Sequence, residues 1–147
     1  MTEVAFHFNA PDKQGYACRL LRKGYLKGAR LLVRTDVRAL EALDSALWAF
    51  TSGEFIPHGR EGDAPSLLRR SPIQLYTELP ESVENSASVV VVNLRDSLPP
   101  RYERFARVIE IVTFDENDRL QARERWRAYK QRGIDPVRHD LQLAPQD

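Results

Sequence analysis

Two runs in the second half of the chain, SVVVVNL at 88–94 and RVIEIVT at 107–113, are almost unbroken β-branched stretches bounded by polar segments. They lack the inward and outward alternation of a half-buried strand, so they suit strands covered on both faces, as in a parallel sheet between helices. The first half supplies such helices. VAFHFN at 4–9 reads as a short strand, Asp12 to Lys27 as a helix with Ala17, Leu20, Leu21 and Tyr25 inward, and Gly28 as its stop. RLLVRT at 30–35 reads as the next strand, followed by a helix from the N-cap Asp36 to Phe50 with Leu40, Leu43, Leu47 and Phe50 on one stripe. IQLYT at 73–77 is a further strand, while 59–72 and 77–87 collect Gly, Pro, Ser and charge without period and read as loops. The expectation is one α/β domain over 1–147, a mostly parallel sheet flanked by helices, with about 140–147 a flexible tail.

Bulk properties narrow the function classes. A chain of 147 residues, 42% hydrophobic and 29% charged, has the size and composition of one globular domain. No apolar run approaches the ~20 residues that span a bilayer, and the start MTEVAFHFNAPDKQ lacks the basic and then apolar parts of a secretory signal, so no membrane contact and a cytoplasmic location are expected. A net charge of +1 gives the whole molecule no strong attraction to nucleic acid. Cys18 has no partner for an internal disulfide and reads as a small buried residue rather than a nucleophile.

Parallel sheets bind nucleotides beyond the carboxyl ends of their strands, yet the chain lacks the glycine pattern that brings backbone amides to a phosphate. The first strand runs into NAPDKQG rather than GxGxxG, and no GxxxxGK[ST] occurs. The fold is therefore expected to be nucleotide-binding-like without a phosphate loop. His7, His58 and His139 fall in no metal-ligand spacing, and no GxSxG marks a nucleophile. No catalytic residue, metal or cofactor is expected, and the chain reads as a non-enzyme.

Charge is instead concentrated near the end. From Phe114 the chain reads FDENDRLQARERWRAYKQRG, acidic at its start and with six basic residues from Arg119 to Arg132, an order that suits the helix macrodipole. At about 100° per residue, Arg119, Arg123, Arg127 and Lys130 share one stripe, and Ala122, Trp126 and Tyr129 form its neighbour. A flat apolar wall beside cations suits an acidic peptide with an aromatic anchor or a terminal carboxylate. The competing reading is a solvated basic face with Trp126 and Tyr129 docked on the sheet. Trp48 lies off the core stripe of its helix, which fits partial exposure or a second packing layer. In SGEFIPHG at 52–59, Phe55, Ile56 and Pro57 either tuck under a sheet edge or face a partner.

Four blocks taken together, the opening VAFHFN, LDSALWAF followed by EFIPH, VVNL with LPPRYERFARVIEIV, and ARERWRAYK followed by RG, resemble the chi family of DNA polymerase III subunits in order and spacing. The resemblance covers nearly the whole chain. It implies a fold of the nucleotide-binding type with no nucleotide, a stable partnership with the psi subunit, and a site for the acidic C-terminal tail of single-stranded-DNA-binding protein. The implied tail site uses Arg123, Trp126 and Arg127 with Lys130 nearby, and Val112 and Trp48 as apolar walls. Phe55, with Ile56 and Pro57 beside it, matches the position implied for psi. The expected role is that of a non-catalytic clamp-loader accessory subunit, tethering the replicase to coated DNA without touching a base. The alternatives are a basic-helix nucleic-acid-binding module and a degenerate nucleotide-binding enzyme.

Overall fold

The computed structural model describes residues 1–49 and 54–142. Its elements are β1 (Glu3–Ala10), α1 (Lys13–Leu26), β2 (Arg30–Arg34), α2 (Val37–Ala49), β3 (His58–Arg60), α3 (Pro65–Arg70), β4 (Ile73–Tyr76), β5 (Val89–Asn93), β6 (Arg107–Thr113), α4 (Glu116–Gln131) and β7 (Val137–Asp140). All strands lie in one seven-stranded parallel sheet of order β3-β4-β2-β5-β6-β1-β7.

The two β-branched runs explain the centre of this order. β5 and β6 pair with each other and are covered on both faces, with Val91, Val92, Val108, Ile109 and Ile111 buried. Alternation splits the core in two. Ile109 and Ile111 point to the face covered by α1 and α2, where Leu21, Leu40, Leu43 and Leu47 meet Ile73 and Leu75. Val108 and Val112 point to the other face, where Ala122 and Tyr129 of α4 meet Val4 and Phe6. The three longer helices start on aspartate caps, of which Asp36 is the expected one: Asp12 accepts from the Gly15 N–H, Asp36 from Ala39 and Asp115 from Asp118. Gly28, at φ +81°, makes the left-handed turn into β2 that a side chain would strain.

Three sequence expectations change. The expected loop 59–72 carries the end of β3 and the short α3, which Pro65 opens at its first turn; both are too brief to show a period. β7, reading VRHD, is an edge strand with one apolar residue, so it lacks the hydrophobic signal of a buried strand. Residues 140 and 141 of the expected tail are held to the sheet: Asp140 closes β7 and the Leu141 N–H donates to the Phe8 carbonyl at 3.0 Å. Residues 143–147 and Phe50, the expected last residue of the second helix, lie outside the described residues.

His7 on β1 gives the fold an acid-sensitive point. Its Nδ1 meets the Tyr16 hydroxyl at 2.6 Å and its ring packs 4.9 Å from that of His139. Burial, with positive charge from His139 and Arg107, pulls its pKa down to about 4. Below the ordinary value of about 6.5 the unfolded chain takes up a proton that the folded chain refuses. Stability is therefore lost as pH falls from about 6.5 towards about 4, by an amount on the order of 3 kcal/mol. His7→Gln is expected to flatten this dependence, read as the change in urea midpoint from about pH 7 to about pH 4.

Candidate functional site

The places where a parallel sheet binds phosphate are filled by the chain's own side chains. At the amino end of α1, the Asp12 carboxylate occupies the position an anion would take. Beyond the carboxyl ends of β2 and β5, the buried Arg34 guanidinium donates to the Ser97 carbonyl at 2.9 Å, to the Ser97 hydroxyl at 3.1 Å and to Asn93 Oδ1 at 3.2 Å, and pairs with Glu78. Burial pushes the Cys18 thiol up to about 11, which leaves it an inert core residue.

Among the described residues, the candidate residues fall on two exposed surfaces. The first is on α4. Asp118 accepts from the Thr113 N–H at 2.9 Å and from Lys13 Nζ at 2.9 Å, which fixes the first turn to β6 and α1. The acids that open the helix are thus partly engaged in holding it, while the cations after them face outward. Arg119, Arg123 and Arg127 are exposed, and among the described residues none makes an ion pair. Phe114, 46% exposed, and Leu120, 52% exposed, form with Glu116, Arg119 and Arg123 a shallow cleft of about 300 Å³. Trp126 is half-buried, its ring 5.1 Å from Phe6, and Val112 lies beneath it in the same cluster. Lys130 pairs with Asp135 at 3.1 Å. Arg123, Trp126, Arg127 and Lys130 are therefore together, with Val112 as buried support rather than an open wall.

Trp48 is not with them. It is on α2, across the sheet from α4, and 57% exposed. Its ring lies 5.4 Å from that of Phe55, which is 61% exposed, and 4.7 Å from that of His58. Ile56 between them is buried and fixes the segment to the core; Pro57 is half-buried. The structure so joins Trp48 to Phe55 in an apolar platform beside the β3 edge, and leaves the cationic surface on the opposite face.

Sequence reasoning passed over two groups. Phe114 and Leu120 were within the singled-out helix segment, but their spacing of six residues is not that of one helical stripe; they meet because Phe114 precedes the cap. Arg125 is buried on α4, where its Nε donates to the fully buried Glu110 at 3.0 Å. Glu110 also accepts from the Tyr129 hydroxyl at 2.8 Å and from Asn93 Nδ2 at 3.0 Å. A visible signal existed: Glu110 interrupts an apolar strand, and Arg125 stands at core spacing between Ala122 and Tyr129, two opposite charges in two core positions.

A family model described as "DNA polymerase III chi subunit, HolC" matches residues 1–137. Among curated proteins, the chain is 30% identical over 127 residues to "DNA polymerase III subunit chi" of Pseudomonas aeruginosa, covering 85% of the chain and 84% of the relative. It is 27% identical over 118 residues to the protein of that name from Escherichia coli (strain K12), covering 80% of the chain and 78% of the relative. A Haemophilus influenzae protein of the same name matches at 27% over 119 residues, 80% of the chain and 79% of the relative.

Proposed function

Because the chain belongs to the DNA polymerase III chi-subunit family, we propose that it serves as a non-catalytic accessory subunit of the replicase in the cytoplasm. It links the clamp-loader assembly, through the psi subunit, to the acidic tail of single-stranded-DNA-binding protein. The observation that carries this reading is the separation of two exposed surfaces of different chemistry onto opposite faces of one sheet. A linker needs that separation, since its partners must sit on it together.

The α4 surface is the one suited to the tail. Arg123 and Arg127, with Arg119 and Lys130 at the ends of the row, meet the tail's carboxylates, and Trp126 borders the row. The cleft between Phe114 and Leu120 offers the tail's aromatic side chain an apolar seat beside two guanidiniums. The Trp48–Phe55 platform is the one suited to psi: two adjoining exposed aromatics are what a stable apolar contact buries at its centre. Each tail contact is weak, and many tails along coated DNA raise the local concentration of the replicase.

Titrating the chain, already bound to psi, with an acidic peptide ending in an aromatic residue tests this. A ternary complex with unchanged peptide affinity is expected; mutual exclusion of the two partners would refute the linker. Phe55→Ala should weaken psi binding by about 2 kcal/mol and leave peptide binding intact, as measured by calorimetry with each partner.

A further inference from the structure

The platform is exposed, yet it is not loose. Glu41, Asp44 and Trp48 recur at spacings of three and four along α2 and therefore share one stripe, which faces β3. On β3, His58 and Arg60 are two apart and project to the same side. The four charged or ionisable groups meet in register: Asp44 Oδ1 lies 2.9 Å from His58 Nε2, and Glu41 Oε2 accepts from Arg60 Nη1 at 2.8 Å. Arg60 Nη1 also approaches Asp44 Oδ2 at 3.7 Å. Among these, the His58 ring is the pivot. Its side chain is 1% exposed and lies under the Trp48 ring, and its other nitrogen, Nδ1, is 2.8 Å from the Ile56 carbonyl. Each ring nitrogen thus has one partner, the Asp44 carboxylate on the helix side and the Ile56 carbonyl on the strand side. One ring thus ties α2, through Asp44, to the backbone one residue beyond Phe55.

We propose that Asp44 and His58 are positioning residues for the psi contact, a hydrogen-bonded brace that holds the Trp48–Phe55 platform in its docking arrangement before the partner arrives. This rests on the reading of that platform as the psi surface. The need for a brace follows from the topology. Among the described residues, β3 is an edge strand of three residues paired only with β4, so the sheet itself does little to fix the segment that carries Phe55. Without the Asp44 carboxylate, the buried ring keeps only its Ile56 partner, and the ring that Trp48 packs against is less firmly held. The platform then spends part of its time in arrangements that psi cannot use, and apparent affinity falls by the fraction lost. The cationic surface of α4, across the sheet, should not notice.

The experiment is a calorimetric titration of psi and of the acidic peptide into wild type, Asp44→Ala, His58→Leu, His58→Gln and Phe55→Ala. Thermal melts accompany it. Asp44→Ala and His58→Leu should weaken psi binding about tenfold with peptide affinity unchanged. His58→Gln, whose amide still donates to Asp44, should recover most of the loss, which a role in mere space filling would not predict. Full psi affinity in folded Asp44→Ala and His58→Leu, with Phe55→Ala impaired, would overturn the brace and spare the platform. Full psi affinity in Phe55→Ala would overturn both. Equal loss of peptide binding would also overturn the proposal, because the pair would then be holding the fold rather than the platform.

Discussion

Glu110→Ala is expected to cost about 3–5 kcal/mol of folding stability, the usual penalty for leaving a buried charge without its partner. The charge left behind is Arg125, 2% exposed, which in the wild type points its Nε at Glu110. A guanidinium cannot shed its proton, so the folded protein has no route to neutralise it. Tyr129 and Asn93 lose an acceptor in the same step, which adds to the cost. Against a total stability of about 5–15 kcal/mol for a domain of this kind, such a loss leaves the fold marginal. Urea unfolding at neutral pH measures it, and a change under about 1 kcal/mol would mean that water reaches the pair.

The reverse substitution behaves differently, because a carboxyl can take up a proton. Burial already pushes Glu110 above its ordinary range, against the pull of Arg125, Tyr129 and Asn93. Arg125→Met removes the largest downward influence and raises it further. A raised carboxyl favours the folded state in its protonated form. Stability lost to ionisation is therefore recovered as pH falls, so Arg125→Met should be milder than Glu110→Ala and should gain stability on acidification. The double variant Glu110→Leu with Arg125→Met should regain most of what Glu110→Ala loses, since a packed apolar pair can replace a buried ion pair at little cost.

What the sequence made legible follows from which signals are local. The run at 107–113 became β6 residue for residue, because a β-branched stretch buried on both faces needs no information from elsewhere. The helix from Asp36 announced itself through its cap and through Leu40, Leu43 and Leu47. Trp48, off that stripe, is indeed exposed. Its neighbours are set by the sheet order, in which α2 leads to the β3 edge and α4 covers the far face, and sheet order leaves no periodic mark in the chain. The resemblance alone groups Trp48 with Trp126, and the topology places them on opposite faces of the sheet. β3, α3 and β7 were missed for a simpler reason: three to six residues do not complete a pattern. The basic row of α4 was visible as charge spacing, but Phe114 and Leu120, which give it a cleft, meet only through the turn before Asp115.

Reversing Arg123 should separate binding from stability more sharply than any other change on this surface. Arg119, Arg123 and Arg127 follow one another at four-residue intervals, so like charges adjoin along one side of α4, an arrangement that costs the isolated helix a few tenths of a kcal/mol per pair. A row that opposes its own helix is explained if a ligand of opposite charge offsets it. Arg123→Glu turns both repulsions into attractions, with Arg119 behind and Arg127 ahead, and the melting temperature should hold or rise slightly. At the same cleft, beside Phe114 and Leu120, it puts a carboxylate where the proposed function brings the carboxylates of the tail. Affinity for the acidic, aromatic-ended peptide should fall by about 2 kcal/mol or more, roughly thirtyfold. Arg127→Glu, one turn beyond the cleft, should lose less. Rising salt should weaken the wild-type interaction, as charges at a surface are screened over ~8–10 Å, and should matter little to the remnant binding of Arg123→Glu. Calorimetry at two salt concentrations with melts alongside reads all of this. A folded Arg123→Glu protein that binds the peptide as tightly as wild type would take the tail off α4 and leave the arginine row a solvated face.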